Sequence, residues 1–268
     1  MAFRRLLRGQ IDRERLESVA QAVAARHGQS VERIEVLDAD NWLSTPFVLD
    51  DQYFVKVISR QHSLVHTLLT TGRNLGAFSS GSEGFFEHFS TPAEMAEHEL
   101  AAARQMRELG INVPRPVEAF EHDGLGVLVM EYLPEFITLD DAPVETVRAH
   151  AASLFRWLTE MHEAGFAHGD LRAENVLLSR DELYFIDATA VDERRIDEAR
   201  AYDVACALAV LEPIIGADDA VTAAATACDD ETLLAAGDFL DFVNIRPDHR
   251  FDARAVTGEL EKTVTRDG

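Results

Sequence analysis

Asp170 and Asn175 stand five positions apart in His168-Gly169-Asp170-Leu171-Arg172-Ala173-Glu174-Asn175, and their types suit one kind of chemistry. Moving a phosphoryl group from a nucleotide needs a carboxylate to orient the attacking group. It also needs oxygen ligands for the cation that neutralises the phosphates. An aspartate and an asparagine at this spacing on one loop can serve those two tasks. Asp187 closes Tyr184-Phe185-Ile186-Asp187, where a second, carboxylate ligand for a metal ion belongs. Either aspartate alone reads as an ordinary turn residue; both at this spacing, with His168 and Asn175, do not.

Lys56 is the next candidate. It lies inside the apolar run Tyr53-Phe54-Val55-Lys56-Val57-Ile58, and Lys262 is the only other lysine among 25 basic residues. A buried ammonium needs a partner, because an unpaired one is costly. Glu97-His98-Glu99-Leu100 offers two carboxylates on a helix, with Glu99 favoured and Glu97 second. Such a pair can position nucleotide phosphates. The plain alternative is an ordinary edge-strand lysine.

The elements that must hold these residues follow from periodicity and turn signals. Helical spacing over Asp12 to His27 predicts an amphipathic helix stopped by Gly28. Val31–Leu37, Pro46–Leu49 and Tyr53–Ile58 read as an antiparallel meander. Residues 59–92 lose periodicity and carry many glycines and serines, which marks a long loop. A helix over Ala93 to Leu109 follows, then strands Val117–Phe120 and Val127–Met130 across His122-Asp123-Gly124. From Val144 the pattern turns helical: Val144–Ala164, Asp197–Ile215 and the region from Asp218 onward. The short strands Val176–Leu178 and Leu183–Ile186 lie between the first two. The expectation is an α+β, bilobal chain: an N-terminal helix (1–30), a β-rich lobe (31–133) with its loop at 59–92, and a helical lobe (134–268). Glu131-Tyr132-Leu133-Pro134 is the expected hinge.

Taken in order, several segments resemble the RIO family of atypical serine/threonine protein kinases and ATPases. They are Phe54-Val55-Lys56-Val57, Ala96-Glu97-His98-Glu99-Leu100, Val113-Pro114-Arg115-Pro116, Met130-Glu131-Tyr132-Leu133, His168-Gly169-Asp170 to Asn175, and Ile186-Asp187-Ala188. The likeness spans about 31–215. It implies a protein-kinase-like fold with a truncated helical lobe, and ATP and Mg²⁺ as cofactors. It further implies that Lys56 contacts phosphates and Glu99 orients it. Asp170 would be the catalytic aspartate, Asn175 and Asp187 would bind Mg²⁺, and the backbone of Glu131 and Leu133 would meet the adenine. A protein substrate or pre-ribosomal particle is the implied partner. Tyr202-Asp203 resembles the aspartate that braces a kinase catalytic loop, with an N-cap role as the alternative.

One departure stands out. The first hairpin, Asp38-Ala39-Asp40-Asn41-Trp42-Leu43-Ser44-Thr45, has no glycine, although glycine lets backbone approach phosphate closely. Asn41, Ser44 or Thr45, or the loop around Ser79 to Ser82, would then supply donors. Two other functions stay open on this reading. One is a small-molecule phosphotransferase of the aminoglycoside or choline kinase type. The other is a nucleotide-binding scaffold without turnover. His62 and His66, four apart, lack a third metal ligand.

Composition bounds the rest. Forty-eight acidic against 25 basic residues give a net charge of −23, with lysine nearly absent. That is the surface expected of a halophilic protein, where salt screens self-repulsion. It argues against an extended basic face for nucleic acid. No run of about 18 apolar residues predicts a membrane span. With no apolar leader, the expected location is cytoplasmic, and Cys206 and Cys228 read as reduced thiols.

Overall fold

The computed structural model describes residues 11–37, 44–60, 89, 91–188, 196–245 and 249–267. They fall into two compact units. One contains the described residues up to 60, those of 89–105, and 113–134. The other contains 106–112 and the described residues from 135 onward.

The first unit is built around a five-stranded antiparallel sheet. Helix α1 (Arg13–Arg26) is capped by Asp12, whose carboxylate accepts from the Arg15 amide at 2.9 Å. Strands β1 (Ile34–Val36), β2 (Thr45–Leu49) and β3 (Tyr53–Ile58) follow, then helix α2 (Pro92–Glu108), which belongs to this unit as far as residue 105, and strands β4 (Pro116–His122) and β5 (Leu125–Glu131). The sheet order is β1-β2-β3-β5-β4. The β2–β3 turn has positive φ at both Asp50 and Asp51, a backbone that follows strand twist. Alternation then sorts the faces. Phe47, Leu49, Val55, Val57, Leu125, Val127 and Val129 pack with Leu16, Val19, Ala20 and Val23 of α1, so the intervening positions look the other way.

Strand β1 is shorter than the expected 31–37. The Asp50 carboxylate takes the amides of Glu32 and Arg33 at 2.9 and 2.6 Å, which holds those residues outside the ladder.

The second unit holds a three-stranded sheet ordered β6-β7-β8 from β6 (Ile137–Thr138), β7 (Val176–Ser179) and β8 (Glu182–Phe185). Its helices are α3 (Val144–Glu163), α4 (Ile196–Ile215), α5 (Ala217–Ala225), α6 (Asp230–Ile245) and α7 (Ala253–Asp267). Helix α4 is buried on nearly every side, as a helix apolar all round must be. Gly216, at φ 88°, separates it from α5. The region from Asp218 onward is thus three helices. Cys206 is buried, Cys228 is half-buried, and no disulfide joins them. No helix among the described residues is long and apolar enough to cross a membrane. The α+β character, strands first and helices after, is that expected from the sequence.

Candidate active site

Lys56 belongs to the set that looks away from α1. It pairs across the sheet with Pro46 on β2 and Leu128 on β5. Its ammonium donates to both carboxylate oxygens of Glu99, at 3.0 and 2.8 Å. The lysine side chain is only 5% exposed and the glutamate 15%, so each charge depends on the other. Glu97, two residues away, points to solvent. Positions two apart on a helix lie about 200° apart around its axis, so only one of the two can reach the strand.

Ser44 lies just before β2. In antiparallel pairing Pro46 shares a face with Lys56, so Ser44, two residues earlier, shares it too. Its side chain is buried and its hydroxyl makes no hydrogen bond among the described residues. An unmet buried hydroxyl costs about 1–3 kcal/mol, and a phosphate oxygen is one group able to meet it. Asn41, Ser79 to Ser82, His62 and His66, and nearly all of the 59–92 loop lie outside the described residues.

At the end of β5 the Glu131 amide donates to the Arg115 carbonyl at 2.8 Å, and the Tyr132 amide to the Gln52 carbonyl at 2.9 Å. The Glu131 carboxylate meets Arg115 at 3.1 Å. Leu133, half-buried, follows directly.

The loop of the second unit is held from beneath by α4. Asp203, fully buried, accepts from the His168 amide at 2.7 Å and the Gly169 amide at 2.8 Å. It also accepts from His162 Nε2 at 3.1 Å. Asp203 is the eighth residue of α4 and so does not cap it; the bracing reading holds. Gly169, at φ 74°, makes the turn that presents both amides to one carboxylate. Arg200, on the same helix, donates to the His162 carbonyl.

Above this brace, the Asp170 amide donates to His168 Nδ1 at 3.4 Å, and the Asn175 side-chain amide donates to the Asp170 carbonyl at 2.8 Å. The Ile186 amide donates to the Asn175 carbonyl at 3.1 Å, which ties the approach to Asp187 to the same loop. Asp187 itself has φ 60°, left-handed backbone that aspartate tolerates better than most residues. Burial pushes the His168 imidazole below its ordinary pKa, outweighing the opposing influence of Asp203, Asp170, Asp187 and the Ile186 backbone. A neutral His168 is what lets Nδ1 accept. Phe185 meets the His168 ring edge-on at 5.3 Å and Trp157 at 5.4 Å.

Asn175 and Asp187 offer a hard cation oxygen donors, the chemistry that Mg²⁺ prefers. Because Asn175 spends its NH₂ on the Asp170 carbonyl, its amide oxygen is the end left for other uses. Among the described residues no group of three or more His, Cys, Asp or Glu side chains is arranged to hold a metal by itself.

Sequence reasoning missed three contributors. His162 fell inside the expected helix Val144–Ala164 with no role assigned to it. Arg172 Nε lies 3.3 Å from Asp170 Oδ2, a contact between neighbours on a loop that no periodicity reports. Gly126 fell outside the expected strand Val127–Met130 and was given no role, although a glycine inside a strand often marks close backbone approach.

Part of the chain is similar to known proteins. The RIO domain family matches residues 83–209. The KEOPS complex subunit Bud32 of Pyrococcus abyssi is 32% identical over 117 residues, 41% of this chain and 51% of that protein. A 3-deoxy-D-manno-octulosonic acid kinase of Vibrio vulnificus is 29% identical over 108 residues, 38% of this chain and 45% of that protein. The chain thus spans about half the length of the curated relatives it matches. The crystal structure of choline kinase LicA from Streptococcus pneumoniae superposes with a TM-score of 0.49 at 12% identity, over 94% of this chain and 99% of that one. The braced His168–Asn175 loop lies within the stretch that is similar to the RIO domain family, residues 83–209, in a chain of α+β architecture.

Proposed function

We propose that this protein is an ATP- and Mg²⁺-dependent phosphotransferase, a RIO-like atypical serine/threonine kinase or ATPase. The observation that carries the reading is the buried Lys56–Glu99 pair in a chain with two lysines. Lys56 contacts the α- and β-phosphates while Glu99 fixes its ammonium. The Ser44 hydroxyl donates to a phosphate oxygen, and the backbone of Glu131 and Leu133 meets the adenine. Asp170 orients the attacking oxygen and accepts its proton. Asn175 and Asp187 hold Mg²⁺, whose charge neutralises the phosphates.

In this reading residues 1–30 form a helical lead, 31–133 the nucleotide-phosphate lobe and 134–268 the catalytic lobe. The protein works in concentrated salt in the cytoplasm, on a protein or pre-ribosomal particle. The Vibrio vulnificus relative is named as a kinase of a sugar acid, which supports a small-molecule acceptor as the second reading. ATP turnover in molar KCl with Mg²⁺, with and without ribosomal subunits, tests the proposal. Wild type should release phosphate or phosphorylate itself, and Asp170→Ala should abolish both. Nucleotide binding without either activity would instead make the protein a scaffold.

A further inference from the structure

Strand β5 carries a glycine, Gly126, where a side chain has nowhere to go. A Cβ there would lie 2.0 Å from the Pro92 carbonyl oxygen, 2.4 Å from its carbonyl carbon and 3.0 Å from the Ala93 nitrogen. These are backbone atoms of the first turn of α2, so no rotamer change relieves the overlap. The φ of Gly126 is not in the left-handed region, and the requirement is for space alone.

The register places this contact beside Lys56. Gly126 pairs with Ile58, and Leu128 pairs with Lys56. Residues two apart share a face, so Gly126 and Lys56 look the same way, about 7–8 Å apart on the diagonal. Helix α2 therefore meets this face twice, through the Pro92 backbone on Gly126 and through Glu99 on Lys56. Those two points of the helix are about 10 Å apart along its axis.

The first turn is closed by a reciprocal cap. The Glu94 amide donates to Thr91 Oγ1 at 3.1 Å, and the Thr91 amide to the Glu94 carboxylate at 3.2 Å. A turn closed in this way moves as one piece, and displacing it carries Glu99 along.

We infer that Gly126 is a positioning residue. By letting the α2 backbone rest directly on β5, it sets the depth of the helix and keeps Glu99 within bonding distance of Lys56. Its consequence for nucleotide binding rests on the function proposed above, but the positioning itself is measurable without nucleotide.

Lys56 and Lys262 are the only lysines, and the Lys262 side chain is 62% exposed, so it serves as an internal reference for amine acylation read by mass spectrometry. Wild-type Lys56 should label at least about tenfold more slowly than Lys262, because a buried, ion-paired ammonium is a poor nucleophile. Gly126→Ala should raise Lys56 labelling about fivefold, leave Lys262 unchanged and weaken ATP binding; in a Glu99→Gln background it should add nothing to either. Thr91→Ala, which opens the cap without filling the glycine, should raise Lys56 labelling about twofold. It answers the question even if Gly126→Ala does not fold.

Val19→Ala loosens the opposite face of the same sheet and should leave Lys56 labelling at the wild-type level. The inference is overturned if Val19→Ala exposes Lys56 as much as Thr91→Ala or Gly126→Ala does. It is equally overturned if neither of those two changes Lys56 labelling. Raised labelling in a protein that binds no ATP would uphold the positioning role and remove the nucleotide reading instead.

Discussion

The lysine pair and the catalytic loop are held by different kinds of bond. Lys56 and Glu99 come from a strand and a helix 43 positions apart, and side chain meets side chain. The loop is held by a side chain gripping backbone, with Asp203 accepting two amides from residues 34 and 35 positions earlier. The first arrangement depends on how deeply a helix sits on a sheet. The second depends on one buried carboxylate. The lysine pair should therefore respond to packing changes at a distance, and the loop chiefly to the loss of Asp203.

Removing Asp203 tests that difference most severely. Asp203→Ala leaves the His168 and Gly169 amides and His162 without their acceptor. A cost of about 3–5 kcal/mol is expected, as for breaking a buried charged network. Denaturant titration should show it as a fall in midpoint, with turnover lost even under conditions where the variant is folded. An effect below about 1 kcal/mol would mean that the loop holds its own shape.

The lysine pair should behave asymmetrically. Glu99→Ala takes both carboxylate oxygens away from a buried ammonium and should cost about 3 kcal/mol, whereas Lys56→Met with Glu99→Leu should recover most of that stability. Neither variant should bind nucleotide normally. Recovery of binding in the apolar double variant would remove Lys56 from the site.

The smallest effect is a pH dependence. With its pKa lowered by burial, His168 stays neutral in the folded protein at pH values where the unfolded chain protonates it. The unfolded state then binds more protons, so stability falls as pH drops below about 6.5, by at most about 1.4 kcal/mol per pH unit from this group. His168→Asn should flatten the stability profile between about pH 7 and 5. An unchanged slope would assign the acid sensitivity to carboxylates.

The same contrast explains what the sequence revealed. Lys56 was legible because a lysine inside an apolar strand, in a chain almost without lysine, demands a partner. Glu99 was favoured as its partner, with Glu97 second, and the helix phase decides for Glu99. The loop was legible from Asp170, Asn175 and Asp187 because their spacing is local. Its support was only half legible: Asp203 could be named, but His162 and Arg200 act through the packing of α3 against α4. Strand β6 escaped because two residues carry no alternation. Gly126 escaped because the reason for it lies on another element, in the Pro92 backbone.

Equilibrium ATP binding in molar KCl, with and without Mg²⁺, separates the two regions most directly. The account predicts that Mg²⁺ tightens binding in wild type. Lys56→Ala should weaken binding whether or not Mg²⁺ is present, whereas Asp187→Asn should chiefly remove the gain that Mg²⁺ brings. Unchanged affinity in Lys56→Ala, or a full Mg²⁺ gain in Asp187→Asn, would contradict it.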